Sequence, residues 1–336
     1  MSATRGQRGV ALLVVLILLV MMAALAAKIS QQFCRNLQKT HYQVSQQQLR
    51  WAIARQQQTA QALLTTYATG ESAALSPEGE WAQPLETKGD DFTVVSQLED
   101  AQDCFNVNSL LAPEKAPVVS EPGARPEKPL REQILEQLLV DGGLTTVAAE
   151  EVYQQLLDEL DSDSTTATGE QESDRLAGMS PPRHPANQMM RLPNEIARLP
   201  AFPRAAWPAV SKFLCALPDV SGKVNVNTLK PEQAALLSAL LKNALSEEEA
   251  KRLLASRPEA GWESVEAFSK ALETAFPQSA AILPQAQEYL AVNSRYFRFS
   301  STGNTDDLTL RVVSELQVDP EAGKVITWQR RYRMVE

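Results

Sequence analysis

Hydrophobic residues follow three successive patterns along the chain. Residues 10–27 read VALLVVLILLVMMAALAA, an apolar run without a charge. At about 1.5 Å per residue it reaches roughly 27 Å, enough for a bilayer core. Beyond it a helical period sets in. Ile29, Phe33 and Leu37 recur every four residues, and Leu49, Ile53, Ala60, Leu63, Leu64 and Tyr67 continue the stripe after an interruption over 41–48. Neither Pro nor Gly occurs between Val10 and Thr69. The pattern therefore predicts one helix of nearly sixty residues ending at Gly70, half in lipid and half packed on a soluble body. Eleven glutamines between Gln31 and Gln61 predict an exposed face that is polar but uncharged.

The second pattern alternates. Residues 70–91 read as a turn-rich loop, DFTVVSQLED as a strand, and DCFNVNSLL as a strand entering a helix cap. Five prolines between Pro113 and Pro129 mark an extended linker. The third pattern is helical and runs from Leu130 to about Pro284. Its predicted helices are LREQILEQLLV, VAAEEVYQQLLDEL, PNEIARL, PRAAWPAVSKFLCAL, KPEQAALLSALLKNAL, SEEEAKRLLASR and GWESVEAFSKALETAF, with Asn194 and Ser246 as N-caps. Alternation returns in YLAVNSRYFRFSS, DDLTLRVVSELQVD and KVITWQRRYRMVE, a three-stranded antiparallel meander that completes the sheet begun at 92–98.

The predicted fold class is α+β. A long N-terminal helix packs on an antiparallel sheet, with a large all-α, SAM-like insertion. The corresponding segments are a leader at 1–9, a transmembrane helix at 10–27, helix and first strands at 28–111, and a Pro-rich linker at 112–129. A helical insertion at 130–288 and closing strands at 289–336 follow. An internal echo runs through this plan. Asn106 and Asn108 in FNVNSLL, and Asn225 and Asn227 in VNVNTLKP, share an N-x-N step. All four read as structural, the second Asn or the following Ser/Thr capping a helix.

Charge and chemistry narrow the function. The net charge is −9, which argues against a nucleic-acid binder. Arg5 and Arg8 precede the apolar run, so the amino terminus is expected in the cytoplasm and the bulk outside it. A cleaved secretory signal is the alternative, but the apolar run is longer than an ordinary signal core and no helix break follows it. No enzyme constellation is present. His41 and His184 read as solvated or loop residues, Cys104 and Cys215 as two separate buried thiols rather than a disulfide, and Cys34 as unpaired. Helix hairpins around LKNALSEEEA suggest a DNA-uptake protein as a rival, but that turn lacks Gly and carries three consecutive Glu.

Ten acidic residues and no Lys or Arg occupy 141–174. Asp161 and Asp163 stand two residues apart where a helix ends. Thr165 can add an oxygen, Gly169 a turn, and Glu172 and Asp174 can close a shell; Asp158 lies one turn earlier. Calcium takes six to eight hard oxygen ligands. The residues alone leave a calcium site and a solvated acidic loop both open.

A short basic leader ending in Gly9, the apolar run from Val10 and the unbroken helix resemble a type IV prepilin or type II secretion pseudopilin. RGVALLVVLILL, FNVNSLL, DELDSD, VNVNTLKPEQAALL and NSRYFR narrow the resemblance to the protein K family of type II secretion systems. It implies a non-enzymatic minor pseudopilin of the inner membrane, with its bulk in the periplasm, that starts and caps a pseudopilus. It implies cleavage between Gly9 and Val10 by a prepilin peptidase, with methylation of Val10. Val14 stands where most pilins carry Glu, the departure that marks protein K. Implied partners are the minor pseudopilins I and J and other secretion components, with secreted substrate or the outer-membrane secretin as further contacts. The resemblance also implies calcium. Asp158, Asp161 and Asp163 match the family's D-x-x-D-x-D step, while its Gly-Ala-Glu-Asp step appears as Gly169-Glu170-Gln171-Glu172, with Gln171 replacing a carboxylate.

Overall fold

The computed structural model describes residues 7–69, 75–76, 78–113, 128–166, 171, 182–319 and 321–335. Helix α1, Gln7–Thr69, is continuous for 63 residues, about 95 Å. The interruption in its apolar pattern does not break it, because no residue there lacks a backbone donor or favours another φ. Gly70, its expected stop, lies outside the described residues.

Five strands form the main sheet, in the order β1-β2-β7-β8-β9 and antiparallel throughout: β1 Leu85–Lys88, β2 Thr93–Asp100, β7 Tyr296–Asn304, β8 Thr309–Asp319 and β9 Lys324–Val335. The closing meander thus completes the sheet through β2–β7 pairing. β1 is a correction, since 70–91 was expected as loop alone. The β7–β8 turn lies at 305–308, because β7 keeps its pairing through Asn304. One face of the sheet packs on the last third of α1, where Leu49, Ile53, Ala60 and Leu64 meet Phe297, Phe299, Leu310 and Val312. At Gly303 the helix approaches so closely that an added Cβ would lie 3.0 Å from Leu49 Cδ2.

That interface is partly polar, which corrects the reading of the glutamines as a solvent face. Gln56 and Gln57 are buried. Gln56 donates to the Leu85 carbonyl at 3.1 Å and the Val94 carbonyl at 3.2 Å, and accepts from Ser96. Gln57 donates to Thr327 Oγ1 at 2.9 Å and accepts from Ser314 at 2.9 Å and Arg330 at 2.7 Å. Both amides bind across to strands on which Thr and Ser replace apolar side chains, so neither is left unsatisfied.

The remaining chain forms a helical body with its own core. Helix α2, Leu130–Asp141, and helix α3, Thr146–Leu160, are followed by short helices at Ala234–Leu240, Glu247–Ala255 and Val265–Ala275. Ser246 caps its helix as expected, through a reciprocal pair with Glu249. Asn194 does not cap; it sits inside the 3₁₀ turn Pro193–Arg198, and Glu195 accepts from the Arg191 and Leu192 amides instead. PRAAWPAVSKFLCAL is not one helix. It becomes a turn at Arg204–Ala206, a helix at Trp207–Val210 and strand β4, Leu214–Cys215.

β4 explains that change, because it pairs in parallel with β3, Phe105–Asn106. The same arrangement recurs where β5, Val224–Asn225, pairs in parallel with β6, Leu290–Ala291. The body is therefore two similar units. Each opens with a two-residue strand carrying the N-x-N step and closes with a strand beside it. Phe105, Val107 and Leu110 accordingly pack in the helical core, not with the sheet. The first closure is also covalent, since Cys104 and Cys215 form a disulfide. This overturns the expectation of separate thiols: the parallel β3–β4 ladder sets residues 111 apart in sequence side by side. Cys34 is free and exposed.

Candidate functional site

Two features outside the cores are candidates for function. The first is the free face of α1. Val10–Ala27 is exposed throughout and forms a helix long and apolar enough to cross a membrane. Above it, Ile29, Phe33, Leu37, Val44 and Trp51 stay exposed, Trp51 at 75%. At 3.6 residues per turn this stripe lies roughly opposite Leu49, Ile53, Ala60 and Leu64. The sequence suggested one continuous stripe; the structure shows two, on opposite faces. Leu37, Val44 and Trp51 are seven apart, the repeat by which one helix packs along another. A groove of about 1080 Å³ runs beside them, lined by Val44, Trp51, Ala52, Gln48 and, from the β1–β2 hairpin, Thr87 and Phe92. Gly9 and Val10 both lie within the helix.

The second feature is the acidic loop after α3. Asp161 ends the helix, its amide donating to the Leu157 carbonyl at 2.9 Å. Asp163 Oδ1 accepts from Thr165 N at 2.7 Å and Thr165 Oγ1 at 3.0 Å, which holds its carboxyl below the usual range. Thr165 thus turns the loop by way of Asp163. Asp158 is buried on α3. Burial, with the charges of Asp163 and Asp158, pushes the Asp161 carboxyl up.

The chain returns to this loop at 186–188. Glu159 accepts from the Ala186 amide at 2.9 Å, and Asn187 Nδ2 donates to the Asp163 carbonyl at 2.5 Å. Asn187 takes a positive φ of 46°, which Asn tolerates. Asp161 Oδ1 and Asn187 Oδ1 are both buried without a hydrogen-bond partner. Unpaired buried oxygens call for a partner, and oxygen is the ligand type that a hard cation takes. Asn187 is absent from the sequence reading, and its one signal is an Asn after Pro-Ala in a loop. Glu172 and Asp174 lie outside the described residues. No group of three acidic, His or Cys side chains close enough to hold a metal ion occurs among the described residues.

His41 and His184 are exposed, and His41 faces Asp307 at 3.8 Å. The LKNALSEEEA turn uses Lys242 and Asn243 at positive φ in place of Gly, and three glutamates follow it at the next helix start.

A single membrane-length helix laid along an antiparallel sheet defines a pilin-like anchored subunit, here with a two-unit helical body set between its strands. Residues 103–219 and 224–293, the two helical units, each match a family described as type II secretion system (T2SS), protein K. A putative type II secretion system protein K from Escherichia coli K12 is 32% identical over 302 residues, 90% of each chain. The type II secretion system protein K of Aeromonas hydrophila is 29% identical over 318 residues, 94% of each chain. One chain of the GspK-GspI-GspJ complex structure from enterotoxigenic Escherichia coli superposes with a TM-score of 0.74 at 25% identity, covering 88% of this chain and 99% of that one. The chain belongs to the type II secretion system protein K family and is a minor pseudopilin. Neither the fold nor these relatives support the DNA-binding alternative.

Proposed function

We propose that this subunit stands at the tip of a periplasmic pseudopilus, held by the free face of α1 against the helices of minor pseudopilins I and J. The observation that carries this reading is the exposed stripe Ile29–Phe33–Leu37–Val44–Trp51, opposite the face that the sheet covers. In water such a stripe is stable only when another apolar surface covers it. In lipid, the small side chains Ala23, Ala24, Ala26 and Ala27 allow close helix approach. The related GspK was solved together with GspI and GspJ, which supports the same partner classes here.

In this reading the apolar run spans the inner membrane, with residues 1–9 cytoplasmic and the sheet and body periplasmic. The prepilin peptidase removes the leader after Gly9 and methylates Val10. Val14 avoids burying a carboxylate in hydrocarbon, so the subunit needs no earlier neighbour to neutralise one. The helical body, far larger than the sheet's own loops, leaves no room for a further subunit above it.

The acidic loop is proposed to bind calcium through Asp161 and Asp163, with Glu172 and Asp174 completing the shell and Asp158 and Thr165 in support. The orphaned oxygens of Asp161 and Asn187 favour this reading. A bound cation there would join the end of α3 to the returning segment at 186–188.

The test is co-purification with I- and J-class minor pseudopilins. Trp51→Glu and Val44→Glu should abolish capture while leaving the melting temperature unchanged. Undiminished capture would reject the stripe as the contact. Mass spectrometry of the mature chain should find N-methyl-Val10; an intact Met1 would reject the processing step.

A further inference from the structure

The sheet face turned away from α1 carries arginines, in a chain whose net charge is −9. Its register sets Glu86, Val95, Thr302, Arg311 and Arg333 in one cross-strand row. Beside that row, Glu315 is buried and accepts from Arg298 Nε at 3.1 Å and Arg331 Nη2 at 2.7 Å, so this carboxylate is already shared by two guanidinium groups. Glu99, further along the sheet, faces Lys230 at 3.6 Å. Arg311 and Arg333 stand directly opposite one another, are exposed, and make no hydrogen bond or ion pair among the described residues.

Like charges directly opposite in an antiparallel pair destabilise it. Protection of a sheet edge accounts for an arginine on β9. It does not account for Arg311, because β8 is covered by β7 on one side and β9 on the other. Folding gains nothing from this pair.

We infer that this row is a docking surface for an acidic segment of another protein, whose carboxylates bridge Arg311 and Arg333. Guanidinium groups bind carboxylates in a two-pronged geometry, and two of them side by side select for closely spaced acidic groups. Val95, exposed in the same row, adds an apolar contact, and Glu86 at the far end is already paired with Lys88 at 3.0 Å. Anionic lipid is too distant to be the occupant. The row passes beside Gly303, which packs on Leu49, about 33 Å along α1 from Ala27. That is several times the Debye length of about 8 Å at physiological ionic strength. The assignment does not depend on the α1 stripe, which lies on the opposite side of the sheet.

The test uses the full chain in nonionic detergent, titrated against fluorescein-labelled decaglutamate at low ionic strength. The wild-type chain should bind it, and Arg311→Gln/Arg333→Gln should weaken binding about tenfold or more. The same double variant should melt at an equal or higher temperature, because it removes a repulsion. Unchanged affinity would overturn the inference. A clear fall in melting temperature would also do so, since the pair would then be structural. An oligothymidylate of the same length should bind more weakly; equal or tighter binding would show general polyanion attraction and reject an acidic protein as the occupant.

Discussion

Asn108 holds Met190 at both ends of one residue: its Oδ1 accepts from the Met190 amide at 2.8 Å and its Nδ2 donates to the Met190 carbonyl at 2.9 Å. Asn227 holds Trp262 in the same way, at 2.8 Å and 3.0 Å. Each Nδ2 also donates to the strand-closing segment, at Leu217 O and Val292 O. The first Asn of each step turns its own chain, Asn106 Oδ1 accepting from the Asn108 amide and Asn225 Oδ1 from the Asn227 amide. The second Asn is thus not a helix cap. It imitates a backbone peptide and pins a distant segment into its unit.

Asn108→Leu should lower the unfolding free energy by on the order of 3 kcal/mol, because the buried Met190 amide and two carbonyls lose their partner. Asn227→Leu should do the same. Thermal melts of the detergent-solubilised chain read this directly; a loss near zero for either would mean that water replaces the clamp.

Replacing both Cys104 and Cys215 by Ser removes a link between residues 111 apart. In the chain-entropy view a loop of that size is worth about 4–5 kcal/mol. The wild-type chain should therefore melt lower in reductant, and the double-Ser variant should not respond to it. A reductant-insensitive wild type would count against the bond.

Asp103 sits beside Asp100 at the sheet–body junction, and burial with that neighbouring charge raises its carboxyl to about 6. A carboxylate raised in the folded state binds more protons there than in the unfolded chain. Its destabilising effect is therefore full above pH 6 and fades as pH falls toward its ordinary value of 3.8. Asp103→Asn should raise stability by about 1–2 kcal/mol at neutral pH, and the gain should shrink to nothing near pH 4. Paired melts across that window decide it, and a gain independent of pH would contradict the assignment.

Calcium should raise the melting temperature, and EDTA should reverse the rise. Asp161→Asn should abolish the calcium response and, in EDTA, melt slightly above wild type, because it removes repulsion with Asp158 and Asp163. A full calcium response in the variant would exclude Asp161 as a ligand.

Local periodicity was enough to read α1, β2, the meander and most helices, since each is written in consecutive residues. What stayed hidden is non-local. β4 reads as helix in PRAAWPAVSKFLCAL because its strand character comes from pairing with Phe105 and Asn106, more than a hundred residues earlier. The disulfide depends on that same pairing. Gln56 and Gln57 look like solvent-facing residues until the Ser and Thr that receive them are in place. Asp161 and Asp163 were legible as candidates from their spacing. Asn187 was not, because only the returning chain brings it to them.

From Lys28 to Thr40 every residue of α1 is exposed, and His41 then meets Asp307 of the β7–β8 turn at 3.8 Å. The sheet and body therefore stand about 20 Å clear of the apolar run on a bare stilt. A single helix of that length resists compression along its axis but yields readily to sideways force. Flanked by parallel helices it becomes one member of a column. The height of the body above the membrane is set by the chain, while the rigidity of its footing is set by its neighbours.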